Sequence, residues 1–218
     1  MSAGRAGNGA ITHHPSEATL LGYTTHALGP AARIVVEAHL DRCPQCRATT
    51  RMAEDLGGLL LDSLAPTPLD PSALERALSS LGNVAECETP PPSAASATTL
   101  HDLLGGARLR WIAPGVHHAL LLREGGDSSG VLRLLRVRSG MALPCHAHRA
   151  VELTLVLEGA FIDEVGRYGP GDLAEVDAGA SHQPVAEGPG DCVCLLSTQG
   201  RLGFHNPLAR LFGILKGL

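Results

Sequence analysis

Aromatic residues are scarce: three Phe, two Tyr and one Trp occur among 218 residues. A chain so poor in rings lacks the stacking platforms of single-stranded nucleic-acid binders, and its core must be aliphatic. Positive charge is also short. Seventeen Lys and Arg stand against 22 Asp and Glu, a formal net charge of -5, which excludes phosphate-backbone binding as the main activity. No run of about 18 apolar residues is present, so no membrane-spanning helix is expected. The opening "MSAGRAGNGA" lacks the apolar stretch of a secretory signal. These absences point to the cytoplasm, where the six cysteines are expected as ligands or free thiols rather than structural disulfides.

What the chain does have is enough core material, 44 % apolar residues, for one large domain or two small ones. Two textures divide it. Residues 15–63 read as helix: Pro15, Ser16 and Glu17 form a helix start, and "PAARIVVEAHL" resumes the helical pattern with Ile34, Val35 and Ala38 on one side. Pro44 moves Cys43 out of helical geometry and opens a third helix, "RATTRMAEDLGGLLLDSL". After the short linker "APTPLDP", Asp70 caps and Pro71 opens a further helix that Gly82 ends. Its Leu74, Leu78 and Leu81 fall at i, i+4 and i+7, so it needs a partner surface. "ECETPPPSAASATT" then reads as an interdomain linker. Beyond it, short segments such as "VLRLLRV", "LTLVLEG" and "CVCLLS" alternate with turn residues, the spacing of an all-β sandwich or barrel. The last stretch, "NPLARLFGILKGL", is apolar at helical spacing. The expected fold is therefore α+β and multidomain: a small helical domain over 13–85, a linker over 86–100, and an all-β barrel over 101–218.

"HLDRCPQCR" (39–47) puts His39, Cys43 and Cys46 at a helix end, in the following break and in the first turn of the next helix. Imidazole and thiolate at such spacing suit tetrahedral Zn²⁺, which takes four of them. A redox C-x-x-C normally follows a strand, whereas both flanks here are helical. Three ligands leave one missing, and His13, His14, His26 and Cys87 are the candidates for it.

A second constellation lies in "GMALPCHAHRAVELTLVLEG" (140–159). It reads G-x5-H-x-H-x3-E-x6-G, the first cupin motif, with Gly140, His146, His148, Glu152 and Gly159 in place. "GDLAEVDAGASHQPVA" matches the second motif at Gly171, Gly179 and His182, with Asp177 for its Pro and Ala186 for its Asn. On a strand, positions i and i+2 share a face, so His146 and His148 are expected to point into the barrel, Glu152 with the same parity. His182 is expected to join them from a neighbouring strand. Three imidazoles and a carboxylate converging in an apolar barrel make a divalent-metal site, since leaving them unmetallated is costly. Ligand type alone does not choose among Zn, Fe, Mn and Ni. In "DCVC", Cys192 and Cys194 share one face of a probable strand and are expected either as a redox-sensitive pair or as small buried residues.

H-x3-C-x2-C in a helical domain, with "THHPSEATL" upstream, resembles the zinc-binding anti-sigma domain. Joined to the cupin motifs, it resembles the ChrR-type cupin anti-sigma factors over roughly residues 13–215. In that family a histidine at the start of the first helix is the fourth ligand. The resemblance therefore implies His14, which lies 25 residues before His39, with His13 as the fallback. It further implies zinc in both sites. It also implies an extracytoplasmic-function sigma factor held by the N-terminal domain, and a cupin that senses singlet oxygen or organic hydroperoxide and triggers release. The chain is then a regulator and not an enzyme. A metal-dependent cupin enzyme of dioxygenase type with an accessory helical domain is the alternative.

Overall fold

The computed structural model describes residues 10–82, 100–125, 130–147, 150–199 and 203–204. Five helices are described: α1 (Glu17–Thr24), α2 (Pro30–Leu40), α3 (Pro44–Asp62), α4 (Ala73–Gly82) and α5 (Leu100–Gly105). The starts obey local chemistry. Ser16 Oγ accepts from Thr19 N and caps α1. Pro30 and Pro44 occupy the first positions of α2 and α3, where a missing N–H costs nothing. Cys43 stays extended before Pro44, and its Sγ accepts from Cys46 N as the cap of α3. Asp70 Oδ1 accepts from Ser72 N and Oγ just ahead of α4.

Twelve short strands follow among the described residues, all pairing antiparallel. The large sheet has the order β1 (Arg110–Ala113), β2 (Val116–Arg123), β3 (Gly130–Val137), β11 (Cys192–Gln199), β5 (Glu152–Glu158), β8 (Leu173–Val176). Two three-stranded sheets complete the cupin. One is β10 (Val185–Glu187), β6 (Ala160–Ile162), β7 (Arg167–Tyr168); the other is β12 (Gly203–Phe204), β4 (His146–Ala147), β9 (Ser181–His182). Gly159 permits the β5–β6 corner: its φ is +70°, and a Cβ there would lie 2.4 Å from the Asp191 carbonyl oxygen.

Alternation along the large sheet gives it two apolar faces. The inner one, with Val137, Val156, Ala174, Cys192 and Cys194, packs on Phe161, Tyr168 and Ala186 of the smaller sheet. The outer one, with Leu132, Leu153, Leu155, Leu173 and Leu195, packs on Val35, Val36 and Leu40 of α2. So one core runs across the boundary expected between the helical and β parts. Helix α2 is also tied to the cupin at both ends. Ala31 N donates to Glu124 Oε1 at 2.6 Å, a carboxylate placed on the positive end of the helix. At the other end His39 Nδ1 donates to the Gly171 carbonyl at 2.9 Å.

Two expectations need adjustment. Glu152 does not continue the strand of His146: it opens β5 in the large sheet, while His146 lies on β4 in a smaller one. Parity along one strand therefore does not bring them together; closure of the barrel does. Leu100, assigned to the linker, opens α5, whose Leu100 and Leu103 pack on the outer core. Residues 86–99 of that linker, Cys87, His148 and the C-terminal apolar stretch from 206 lie outside the described residues.

Candidate metal centres

The first centre gathers His14, His39, Cys43 and Cys46, whose donor atoms all lie within 4.8 Å of one another. His14 Nδ1 stands 3.4 Å from the Sγ of both Cys43 and Cys46, and His39 Nε2 stands 3.3 Å from Cys46 Sγ. Zinc bonds of about 2.0–2.1 Å to nitrogen and about 2.3 Å to sulfur give tetrahedral edges of about 3.5 Å, so the donors already stand at ligand spacing. The tautomer also fits. A carbonyl only accepts, so Gly171 O requires the proton on His39 Nδ1 and leaves the Nε2 lone pair facing the thiols. Burial lowers the His39 pKa, which keeps the ring neutral and able to ligate. Burial, followed by the hydrogen bond and charge of Cys43, pushes the Cys46 thiol up to about 12. Capture of a metal must displace that proton, so retention weakens as pH falls.

His13 goes elsewhere: its ring packs on Tyr168 at 4.2 Å, and its Nδ1 lies 3.8 Å from Asp172 Oδ2. His26 is exposed and meets Arg33. Of the three candidates among the described residues, His14 is the one the fold brings to the cluster.

The second centre brings together His146, Glu152 and His182, all buried, with donor atoms again within 4.8 Å. His146 pairs with His182 across β4 and β9. Their Nε2 atoms are 3.3 Å apart, and His182 Nε2 is 3.7 Å from Glu152 Oε1. The Pro144 carbonyl accepts from His146 Nδ1 at 2.8 Å, and Asp163 Oδ2 lies 3.5 Å from His182 Nδ1. Both outer nitrogens are thus supported, as metal-ligating imidazoles require. Burial pushes Glu152 up to about 8, with Thr154 and Arg133 pulling back. A cation bound at this carboxyl restores its charged form at neutral pH, so the donor set fits a divalent metal.

Beside this centre, Cys192 and Cys194 are buried with Sγ atoms 3.4 Å apart. The hydrogen bond with Cys192, then burial, raises the Cys194 thiol well above its ordinary value. Cys194 is thus held protonated, which is the opposite of a poised thiolate nucleophile. Asp177 is exposed in the β8–β9 turn and Ala186 is buried in the inner core; neither donates to the metal cluster.

The supporting carboxylates gave no sequence signal. Asp172, Glu175, Asp163 and Glu124 act over separations of 19 to 160 residues. Only Gly171 carried a hint, as an anchor of the second cupin motif. Asp172 yields a pH prediction. Burial works to raise its pKa, but the N–H groups of Gly169, His13 and Thr12 outweigh it, and the net shift is downward. A carboxyl depressed in the folded state contributes stability above its unfolded value of about 3.9 and loses it as pH falls through the folded value. The melting temperature is expected to drop as pH falls below about 5, and Asp172→Ala to flatten that drop.

The comparisons agree with this two-centre arrangement. A family model described as the ChrR cupin-like domain matches residues 106–201, and a zinc-finger family model matches residues 20–47. A helical zinc-finger segment leading into a ChrR cupin-like domain is the class of protein that fold and site define. Anti-sigma-E factor ChrR of Cereibacter sphaeroides is 37 % identical over 207 residues, which is 92 % of this chain and 96 % of that protein. The crystal structure of Rhodobacter sphaeroides SigE in complex with the anti-sigma ChrR contains a chain with 38 % identity and a TM-score of 0.70, covering 87 % of this chain and 99 % of that one. The chain belongs to the ChrR family of anti-sigma factors.

Proposed function

We propose that this chain is a zinc-dependent anti-sigma factor of the cytoplasm. Its N-terminal domain (13–85) binds an extracytoplasmic-function sigma factor and masks it from RNA polymerase. Its cupin domain (101–218) releases that partner under oxidative stress, from singlet oxygen or organic hydroperoxide.

The observation that carries this reading is the pairing of a pinned ligand cluster with an unpartnered apolar surface. Zinc at His14, His39, Cys43 and Cys46 fixes the relation of α1, α2 and α3. From there α3 runs outward, with Leu56, Leu59 and Leu60 exposed, and α4 carries Leu74 and Leu78 exposed. Leucines at helical spacing on a tethered amphipathic helix suit a helix-in-groove partner. The related crystal structure is a complex of SigE with its anti-sigma factor, which supports a sigma factor as that partner.

At the cupin, His146, His148, Glu152 and His182 hold the second metal, which we assign as zinc. The bound ion would supply charge that fixes β4, β5 and β9, the strands carrying His146, Glu152 and His182. Oxidation at that centre changes the barrel and lowers the affinity of the whole chain for its partner. Only a difference in affinity between the two states can drive release. Nothing in this division of labour requires turnover, so the chain is read as a regulator rather than an enzyme.

Co-expression with the sigma factor tests the reading. A stable complex containing about two zinc ions per chain is expected, at the stoichiometry of two structural sites. Absence of any sigma factor, together with turnover of a small substrate that His146→Ala abolishes, overturns it in favour of a cupin enzyme.

A further inference from the structure

Most of the polar ties between the N-terminal segment and the cupin converge on five residues, 171–175. The Gly171 carbonyl holds His39 Nδ1. Asp172 Oδ1 accepts from Thr12 N at 2.7 Å and from His13 N at 2.9 Å. Leu173 N donates to His13 O at 3.1 Å, so the chain just before His14 pairs along β8, an edge strand of its sheet. Glu175 accepts from Ser16 N, Ser16 Oγ and Thr19 Oγ1 at 2.8, 2.9 and 2.8 Å. His14 is thus bracketed on both sides, and His39 is held directly.

The far end of the same strand reaches the other centre. Val176 pairs with Glu152, and after the Gly179 turn the chain arrives at His182. A second connection runs beside it. His182 Nδ1 faces Asp163, in the turn between β6 and β7, and Tyr168 on β7 carries the ring of His13.

We propose that β8 and the turn before it couple the two metal centres, with Asp172 and Glu175 as positioning residues that transmit the state of the cupin site to His14 and His39. The physical ground is continuity. Main-chain pairing and short carboxylate–amide bonds do not stretch, so a shift of β8 when Glu152 and His182 lose their metal must move the His14 segment or break its ties. Coupling of this kind is reciprocal: each metal stabilises the binding of the other by the same factor. The inference rests on the two-centre reading above but not on the identity of the partner.

Cobalt makes the test site-specific, because of the two clusters among the described residues the one with Cys43 and Cys46 alone contains thiol donors, which give a thiolate-to-cobalt charge-transfer band. The full chain is loaded with Co²⁺, and decay of that band is timed after addition of EDTA. In His182→Ala, and independently in His146→Ala, the band should decay about tenfold faster than in the unmodified chain, within the usual range of coupling between sites. Glu175→Ala removes the side-chain bonds to Ser16 and Thr19 and leaves the main-chain pairing of β8 with β5 in place. It should decay at the fast rate with the cupin site filled, and adding His182→Ala should accelerate it no further. Glu175→Gln, which keeps one acceptor oxygen, should recover part of the slow rate. Equal rates in the unmodified chain and His182→Ala overturn the coupling. So does a tenfold ratio that survives Glu175→Ala. Sigma-factor retention is scored separately, so a chain that couples its metals yet binds no sigma factor condemns the functional reading alone.

Discussion

Cys43→Ser is expected to abolish metal binding at the first centre and to remove nearly all of the chain's affinity for the sigma factor. Cys43 does two jobs. Its Sγ is one of the four converging donors, and the same atom caps α3 by accepting from Cys46 N. It is 2 % exposed, so no water replaces the lost donor. The metal-linked folding free energy of comparable small sites is on the order of 10 kcal/mol, which so short a helical domain cannot spare. Without the metal, α2 remains packed on the cupin, whereas α1 and α3 lose the cluster that sets their angle to it. The dissociation constant should rise by at least about two orders of magnitude, since even loss of a supporting group around a metal costs about 10–100-fold. Metal analysis and calorimetric titration of the purified variant check both parts. Unchanged affinity with one metal missing would show that the cluster has no part in the grip.

The second large effect belongs to α4. Leu74 and Leu78 are 70 % and 58 % exposed, so their replacement takes nothing from the chain's own core. Leu74→Glu with Leu78→Glu should leave the melting temperature and metal content unchanged while weakening the complex. Each leucine buried against a partner contributes about 1.5–3 kcal/mol, or about one to two decades in the dissociation constant. The pair should therefore weaken binding by about a thousandfold, before any further cost of seating carboxylates in an apolar groove. Fluorescence anisotropy with labelled sigma factor measures it. Binding within threefold of the unmodified chain would move the docking surface off α4.

The two predictions separate what the sequence made readable from what it did not. Helix starts were legible because Ser16, Pro30, Cys43–Pro44 and Asp70 act within a few residues of themselves. Most members of the two candidate clusters were legible for a related reason, whereas His14 lies 25 residues before His39 and was reached only through the family resemblance. Metal ligands are a short alphabet at short spacing, and "HLDRCPQC" and the cupin motifs carry them in compact strings. The route by which Glu152 joins His146 was not legible, because it depends on closure between two sheets rather than on parity along one strand. Neither was the joint between the halves. Asp172 and Glu175 look like ordinary surface acids in the sequence. Their role appears only when residues 12–19 lie against β8, more than 150 positions away. The proline-rich linker suggests two units on a flexible tether, whereas α2 shares its core with the outer face of the large sheet. One residue of the joint, Gly171, was visible as a motif anchor, yet nothing in the motif says that its carbonyl orients His39.

The central claim is that one centre grips and the other decides. It is tested most directly by transcription from a sigma-dependent promoter, reconstituted with RNA polymerase, the sigma factor and the purified full-length chain, before and after organic hydroperoxide. With zinc in excess, so that the first centre stays filled in both chains, the unmodified chain should silence transcription and release it on oxidation, while His182→Ala should silence it equally and stay silent after oxidation. A His182→Ala chain that fails to silence, or that releases its partner as fully as the unmodified chain, would contradict the account.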